Sequence, residues 1–191
     1  MGRWEPGAGD RLREAALALY IEHGFDQTMV ADIADRAGVT ARTFFRHFAD
    51  KREVLFDRSS ELEEKALAAL EAAPATASTL EAVAAALFAA ADVIGGDREL
   101  ARKRHAVIMA NADLRERELI KLAGMSATLA DGLRRRGVDG TEADLATEAG
   151  SAVYRVAFQR WVDATDTADG LDLHEAIRQS FAQLRALTAS G

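Results

Sequence analysis

Alanine dominates this chain: 41 of its 191 residues are alanine, and only two are proline, Pro6 and Pro74. Alanine has the highest intrinsic helix propensity and proline by far the lowest, so helices can form almost anywhere along the sequence. No stretch shows the alternation of polar and apolar residues that is typical of strands. The composition therefore predicts an all-α protein.

Helix starts are marked by capping boxes, in which a short polar side chain precedes a carboxylate by three residues. They are Asp50-x-x-Glu53, Ser78-x-x-Glu81, Asp113-x-x-Glu116, Thr141-x-x-Asp144 and Asp172-x-x-Glu175. Together with glycines at helix ends, these signals predict about nine helices. Their expected ranges are 10–23, 29–37, 40–47, 51–72, 78–94, 97–110, 113–136, 141–165 and 172–188.

The charge of the chain is unevenly distributed. Its net charge of −7 argues, over the whole length, against a nucleic-acid partner. Residues 1–56 carry 8 basic and 9 acidic side chains, whereas residues 57–191 carry 16 and 22. Between Arg36 and Arg58, however, six basic residues stand against three acidic ones. This locally basic segment is the first indication of a DNA-binding surface.

Several other classes of protein lack support in the sequence. There is no cysteine, which excludes disulfides and cysteine-bound metal. The longest uncharged run, 82–91, has ten residues, whereas a membrane span needs about 20. We therefore expect a soluble, cytoplasmic protein. The chain has no Gly-x-Ser-x-Gly, phosphate-loop or His-Glu-x-x-His pattern, so we expect no enzyme, no metal site and no cofactor.

Three short predicted helices follow one another between residues 10 and 47. The second and third are joined by Arg36-Ala37-Gly38-Val39-Thr40, a short glycine-containing connection with helix-turn-helix spacing. In the third helix, Phe44 and Phe48 are four residues apart, so they share one face and are expected to be buried. The opposite face presents groups that suit base edges and phosphates better than a core, namely Ala41, Arg42, Thr43, Phe45 and Arg46.

A longer pattern surrounds this connection. Its parts are Ala16-x-x-Leu19-Tyr20, His23-Gly24-Phe25, Thr28-x-x-x-x-Ile33-Ala34, Ala37-Gly38-Val39 and Thr43-Phe44-Phe45-Arg46-His47-Phe48-x-x-Lys51. With these parts, the segment 12–56 resembles the DNA-binding domain of TetR-family repressors. The resemblance implies a helix-turn-helix domain over residues 1–50 and a helical ligand-binding and dimerisation domain over 51–191. It further implies a homodimer that binds double-stranded operator DNA. A small lipophilic effector is expected to release this homodimer from the DNA. A helical small-molecule binding protein without a DNA-binding role stays the alternative.

The family's DNA-contact positions fall on the second, third and fourth predicted helices. They are Thr28, Thr40, Ala41, Arg42, Thr43, Phe45, Arg46, His47 and Lys51. Arg42 is expected to read a base, because a guanidinium can bond guanine through two hydrogen bonds. Lys51 is expected to bind a phosphate, together with backbone amides at the start of the fourth helix. Thr28 and Thr40 are expected to act first as helix caps.

Two positions depart from the family pattern. The family usually has tyrosine where this chain has Phe45, so a phosphate-bonding hydroxyl is replaced by an apolar ring. Many members have a second hydroxyl beside Thr28, where this chain has Met29. Both differences weaken the expected contacts with the DNA backbone.

Two stripes in the last two predicted helices are candidates for a dimer interface. The resemblance implies that these helices form an isologous four-helix contact between two copies. The alternative is that both stripes belong to the core of one chain. The stripes contain Ala146, Gly150, Val153 and Ala157, and Leu173, Ile177, Phe181, Leu184 and Leu187.

A ligand pocket is expected among apolar residues of the middle and later helices. The candidates are Phe88, His105, Met109, Met125, Tyr154, Phe158 and Trp161, each of which could equally be ordinary core. A second resemblance covers 104–161, where Ala112-Asp113-Leu114-Arg115-Glu116-Arg117, Leu129-Ala130, Arg134-Arg135-Arg136 and Trp161 look like a domain of actinobacterial TetR-type regulators. Mycofactocin-linked members of that group respond to long-chain acyl-CoA, which implies a lipophilic effector.

Overall fold

The computed structural model describes residues 7–164 and 171–189. These residues form nine α-helices and one 3-10 turn, and none of them lies in a strand. The helices are α1 Ala8–His23, α2 Val30–Arg36, α3 Ala41–His47, α4 Ser59–Ala72, α5 Thr79–Ile94, α6 Arg98–Ala110, α7 Ala112–Arg135, α8 Gly140–Asp163 and α9 Leu173–Ala189, with the 3-10 turn at Glu53–Leu55. The predicted all-α class is confirmed.

The chain divides into two compact units. The small unit contains residues 7–57 and Lys103–Glu118, and the large unit contains Arg58–Arg102 and the described residues from Leu119 onwards. This division differs from the predicted boundary after residue 50. The small unit extends further and also contains the end of α6 and the start of α7, so both helices contribute residues to both units.

The core of the small unit lies among α1, α2 and α3. Leu12, Ile33 and Phe44 are fully buried there, and the rings of Phe44 and Phe48 lie 5.5 Å apart. The predicted buried face of α3 is therefore confirmed. Because Phe44 and Phe48 are anchored, the rest of the short helix is turned outwards.

The end of α6 and the start of α7 complete this core. Ile108 and Leu114 are fully buried in the same cluster as the residues of α1 to α3. Arg104 donates from Nε to the carbonyl of Leu55 at 2.7 Å, and Arg117 pairs with Glu53 at 2.6 Å. Three elements far apart in sequence thus hold one fold, which the pattern over residues 12–56 does not reveal.

The fourth predicted helix begins later than expected. The Asp50 carboxylate accepts hydrogen bonds from the amides of Arg52 at 2.7 Å and Glu53 at 3.3 Å, but they open only the 3-10 turn, and α4 starts at Ser59. Val54, Leu55 and Phe56 are all buried in the small unit. Successive residues of an α-helix point about 100° apart, so a continuous helix could not bury all three on one side. The predicted start at residue 51 is therefore wrong.

The large unit is built around α5, which packs on α4, α8 and α9. Its capping box is confirmed, since the hydroxyl of Ser78 accepts from the Glu81 amide and the Glu81 carboxylate accepts from the Ser78 amide at 2.8 Å. Small residues set the spacing between helices. A Cβ atom on Gly150 of α8 would lie 2.5 Å from Cγ1 of Val83 on α5. Gly150 therefore allows α8 to pack closely on α5.

No single described helix is long and apolar enough to span a membrane. One strongly bent pair, α5 with α6, passes the same test on length and composition alone.

Candidate nucleic-acid interface and ligand cavity

The turn between α2 and α3 fixes the position of α3. Gly38 has φ +67°, a left-handed conformation that costs glycine little, and the amide of Val39 bonds the Ala34 carbonyl at 2.9 Å. Thr40 then caps α3, because its hydroxyl accepts from the Thr43 amide at 3.2 Å. The predicted helix-turn-helix connection and the capping role of Thr40 are confirmed.

The outer face of α3 is formed by the predicted residues. Ala41, Arg42, Phe45, Arg46 and His47 are exposed, and Thr43 is half-buried. The ring of Phe45 is 58% exposed, although it lies directly beside the fully buried Phe44. The exposed Phe45 ring thus lies on the same face as Arg42 and Arg46, the face that the sequence predicts to contact DNA.

The basic segment Arg36 to Arg58 separates into paired and unpaired cations. Arg36 bonds Glu22 at 2.7 Å, Arg52 bonds Asp50 at 2.7 Å, and Arg58 bonds Glu61 at 3.4 Å. Arg36 and Arg52 lower the pKa of their carboxylate partners, Glu22 and Asp50, by hydrogen bonding.

Arg42 and Arg46 differ from these three arginines. Neither forms a hydrogen bond or ion pair with any residue in 7–164 or 171–189. Their positive charge is therefore available to an anion outside the chain, and both lie on the outer face of α3.

Lys51 is engaged within the small unit. Its ammonium donates to the carbonyls of Phe25 at 2.8 Å, Asp26 at 3.3 Å and Thr28 at 2.9 Å, and it lies 4.4 Å from the centre of the Phe25 ring. All three donors of the ammonium are used. A phosphate contact from Lys51 therefore stays a prediction that competes with these bonds, and no α-helix begins there to assist it.

Thr28 is the second departure from the predicted surface. It is only 2% exposed, and its hydroxyl donates to the Gly24 carbonyl at 2.8 Å. The N-cap of α2 is Met29, not Thr28. The cap predicted for Thr28 is therefore wrong, whereas its DNA contact stays a prediction that competes with the burial of its hydroxyl in the small unit.

The two stripes predicted as a dimer interface are packed mostly inside a single chain. Most of their residues belong to the buried cluster of the large unit or pack against it, including Gly150, Val153, Ala157, Leu173, Ile177, Phe181 and Leu184. The six buried residues of this set form part of an intramolecular core, whereas Leu184 is half-buried and its contact with a second copy stays a prediction. The large apolar residues that α8 and α9 leave exposed are Leu145 at 68%, Val156 at 51% and Leu187 at 77%, and of these only Leu187 belongs to a predicted stripe.

The residues predicted for a ligand pocket do not form one group. His105 and Met109 belong to the small unit, Phe88 packs on His174 at 5.4 Å, and Trp161 is buried in the core of the large unit. Phe158 is also buried and stacks on Tyr154 at 5.8 Å. Only Met125 and Tyr154 of the predicted set line the cavity described next.

A small cavity of about 10 Å³ lies among α5, α7 and α8 of the large unit. Sequence reasoning found two of its residues, Met125 and Tyr154, and missed the other seven: Val83, Leu87, Leu122, Leu129, Thr147, Gly150 and Ser151. One signal was present, because α7 and α8 each contain a single serine, Ser126 and Ser151. Their hydroxyl oxygens lie 2.6 Å apart.

No group of three histidine, cysteine, aspartate or glutamate side chains is placed to hold a metal ion in the part of the chain that the structure describes.

An outward-facing α3 with two unpaired arginines, in an all-α chain with a second helical unit, defines a helix-turn-helix DNA-binding protein. Residues 12–57 match the family described as bacterial regulatory proteins, tetR family, and residues 77–189 match the MftR C-terminal domain. The chain belongs to the TetR family of DNA-binding transcriptional regulators, with a C-terminal domain of the MftR type. Both resemblances predicted from sequence are confirmed.

Individual relatives are also regulators. The chain is 44% identical over 80 residues to the transcriptional regulator TcmR of Streptomyces glaucescens, an alignment that covers 42% of this chain and only 35% of TcmR. It is 27% identical over 136 residues to a protein of Mycobacterium tuberculosis named MftR for mycofactocin biosynthesis, covering 71% and 69% of the two chains. Among solved structures, the regulator FadR of Bacillus subtilis, solved in complex with stearoyl-CoA, is similar in fold. Its TM-score is 0.63 at 21% identity, over 92% of this chain and 96% of FadR.

Proposed function

We propose that the chain is a homodimeric repressor that binds operator DNA through α3. We further propose that a lipophilic effector releases the repressor from this DNA. The observation that carries the DNA-binding part is the pair of unpaired guanidinium groups, Arg42 and Arg46, on the exposed face of α3. The proposed place of action is the cytoplasm, because the proposed partner is DNA. The relatives above are named as regulators rather than enzymes, and the proposal includes no catalytic residue.

The outer face of α3 offers a different contact from each side chain. Arg42 is proposed to bond a guanine edge, while Arg46 and His47 bond phosphates. Phe45 supplies apolar contact with a thymine methyl group, and Ala41 and Thr43 allow a close approach of the helix. Thr40 acts through the cap that positions α3.

Selection from genomic DNA tests this proposal. The full chain is incubated with fragments of the genome that encodes it, its own promoter region included, and the retained fragments are sequenced. We expect enrichment of a two-fold symmetric site, because a symmetric dimer places two copies of α3 on related half-sites. The Arg42→Ala, Arg46→Ala double variant should enrich no site. Retention of the same fragments by the double variant would contradict the proposal.

The dimer is proposed to form through the exposed apolar residues of α8 and α9. Leu145, Ala149, Ala152 and Val156 recur at steps of four, three and four, so they lie along one side of α8. Leu187 extends apolar surface on α9. This stripe replaces the buried residues predicted from the sequence.

Substitution of one exposed residue tests this interface. Val156→Glu should convert the dimer to a monomer at micromolar concentration, measured by light scattering, because an unpaired carboxylate would be buried at the interface. Leu119→Glu on α7 is a matched control, since Leu119 is also exposed, at 58%. A dimer that survives Val156→Glu, or a wild-type monomer, would contradict the proposed interface.

The effector is proposed to bind at the cavity among α5, α7 and α8. The walls are mostly apolar, as expected for a lipophilic ligand, and the complex of FadR with stearoyl-CoA is consistent with this class. The cavity is far too small for such a ligand, so binding has to separate the helices that line it. An effector that prefers the separated arrangement must lower DNA affinity if that arrangement binds DNA less well.

Helix α7 provides a route for this coupling. Its later turns line the cavity, while Leu114 and Arg117 near its start belong to the small unit and are buried or paired there. Dodecanoyl-CoA, titrated into the complex with the selected site, should release the DNA in a gel-shift assay. Loss of release in a Gly150→Leu variant that still binds DNA would support the cavity as the site. Unaltered release would place the effector elsewhere.

A further inference from the structure

Two serine hydroxyls form a contact between α7 and α8 beside the cavity. Ser126 is 5% exposed, Ser151 lines the cavity, and their oxygens lie 2.6 Å apart. A distance of this length is that of a good hydroxyl–hydroxyl hydrogen bond. A polar pair of this kind stands out in a wall that is otherwise mostly hydrocarbon.

The pair has one more donor than it can use. Each hydroxyl has one proton, and their mutual bond uses one of the two. The remaining proton has no acceptor among the residues that the structure describes. Other buried hydroxyls of the large unit bond the carbonyl four residues earlier: Thr147 bonds Ala143 at 3.1 Å and Ser180 bonds Ala176 at 2.8 Å. Ser151, the half-buried member of the pair, lines the cavity, so the second proton of the pair can be donated to a molecule bound there.

The rest of the wall sets the charge of that molecule. Five of the nine lining residues are aliphatic or methionine, and the others are Thr147, Gly150, Ser151 and Tyr154. None of the nine carries a formal charge. A carboxylate or phosphate buried there would lose its hydration without gaining a counter-ion, which is strongly unfavourable.

We propose that the cavity takes an uncharged lipophilic group with a carbonyl-type acceptor oxygen, and that the Ser126–Ser151 pair donates a hydrogen bond to that oxygen. This inference rests on the proposed effector site and narrows its ligand class. An ester, a ketone or the thioester end of an acyl carrier satisfies it, whereas a free fatty acid or a plain hydrocarbon does not. Any charged portion of the effector has to lie outside these nine residues.

Three probes that share a ten-carbon chain separate these classes on the full-length protein. They are methyl decanoate, decanoate and decane, and their affinities are measured by titration calorimetry. We expect methyl decanoate to bind about fivefold more tightly than decane, since a net hydrogen bond is worth about this factor. Decanoate should bind more weakly than the ester. Equal binding of ester and decane, tighter binding of decanoate, or no binding of the ester would overturn the proposal.

Serine variants assign the preference to the pair. In the double variant Ser126→Ala, Ser151→Ala, the ester should no longer bind more tightly than decane, while the affinity for decane should stay unchanged. Ser180→Ala is the matched control, because its hydroxyl is equally buried but bonds the backbone; it should keep the full advantage. In infrared spectra of the bound ester, the carbonyl band should lie at lower frequency with the wild type than with the double variant. An advantage or a band position that the double variant leaves unchanged would overturn the proposal.

Operator binding measured on the same preparations separates the two levels of inference. If the protein binds its operator but does not prefer the ester, the proposed ligand class is wrong, whereas the proposed function as a DNA-binding regulator is retained. If it binds no DNA, the proposed function fails, and the ester preference is still decided by the titrations.

Discussion

Arginines on α3 of the small unit and at the end of α7 in the large unit differ in their partners. The triplet Arg134-Arg135-Arg136 is one of two runs of three consecutive basic residues in the chain. Nevertheless, Arg134 bonds Asp144, Arg135 bonds Glu71 at 2.8 Å, and Arg136 bonds the Ala73 carbonyl at 2.8 Å. Arg42 and Arg46 on α3 are fewer and have no partner among the described residues. A run of basic residues alone therefore does not predict the DNA surface of this protein. Arg155 and Arg185 of the large unit are also exposed and form no side-chain hydrogen bond or ion pair among the described residues, so the proposal for Arg42 and Arg46 rests on the absence of a partner together with their place on the outer face of α3.

The adjacent residues Phe44 and Phe45 should give the largest contrast. Phe44→Ala is expected to lower the free energy of unfolding by about 3–5 kcal/mol, because the ring is fully buried. Phe45→Ala should change it by less than about 0.5 kcal/mol but weaken operator binding. Urea denaturation and gel shift measure the two effects. A large loss of stability with Phe45→Ala would mean that its ring serves the fold rather than the DNA.

Two helical glycines of the large unit test its close packing. Gly150→Ala should cost about 1–3 kcal/mol of stability, because the new methyl group would lie 2.5 Å from the buried Val83 side chain. Gly124→Ala is the control, since a Cβ there meets nothing within 4 Å; it should stabilise α7 by up to about 1 kcal/mol. Thermal unfolding of both variants measures the difference. If Gly150→Ala were also stabilising, α5 and α8 would not be packed as tightly as described.

Lys51 tests which of two roles dominates. Lys51→Met should lower stability by about 1–3 kcal/mol, because it removes the ammonium that joins the carbonyls of Phe25, Asp26 and Thr28. Lys65→Met removes an exposed cation paired with Glu61 at 3.2 Å and should cost less than about 1 kcal/mol. Denaturation of both proteins, with operator affinity measured beside it, decides the matter. Unchanged stability with reduced affinity for Lys51→Met would restore the phosphate contact predicted from sequence.

The sequence predicted the small unit better than the large one for a physical reason. A helix-turn-helix of this kind has a glycine turn, a cap and two aromatic anchors at fixed spacing, and Gly38, Thr40 and Phe44 meet these requirements locally. The local sequence pattern could not show which residues from distant parts of the chain complete the small unit. Ile108 and Leu114 complete the same core, and the carbonyls that bind Lys51 are more than twenty residues away from it.

Apolar stripes in the large unit were ambiguous because burial inside a chain and burial between chains require the same residues. Val153, Ile177 and Phe181 satisfy a helical stripe equally well in either case, and the structure places them in the core. The polar pair Ser126 and Ser151 beside the cavity was missed for a different reason. Ser126 and Ser151 are unremarkable singly, and only the packing of α7 on α8 brings their hydroxyls together.

We propose above all that the unpaired arginines on α3 contact the operator. The affinity of four proteins for one selected operator tests this proposal most directly. These are the wild type, Arg42→Ala, Arg46→Ala and Arg36→Ala, titrated at several salt concentrations. We predict that Arg42→Ala and Arg46→Ala each weaken binding by at least about tenfold per dimer. Arg46→Ala should also lower the salt slope by about 2, for one phosphate contact in each half-site. Arg36→Ala, which removes the same charge from an arginine paired with Glu22, should stay within about threefold of the wild type. Equal losses in all three variants would contradict the proposal, because charge alone would then account for DNA binding.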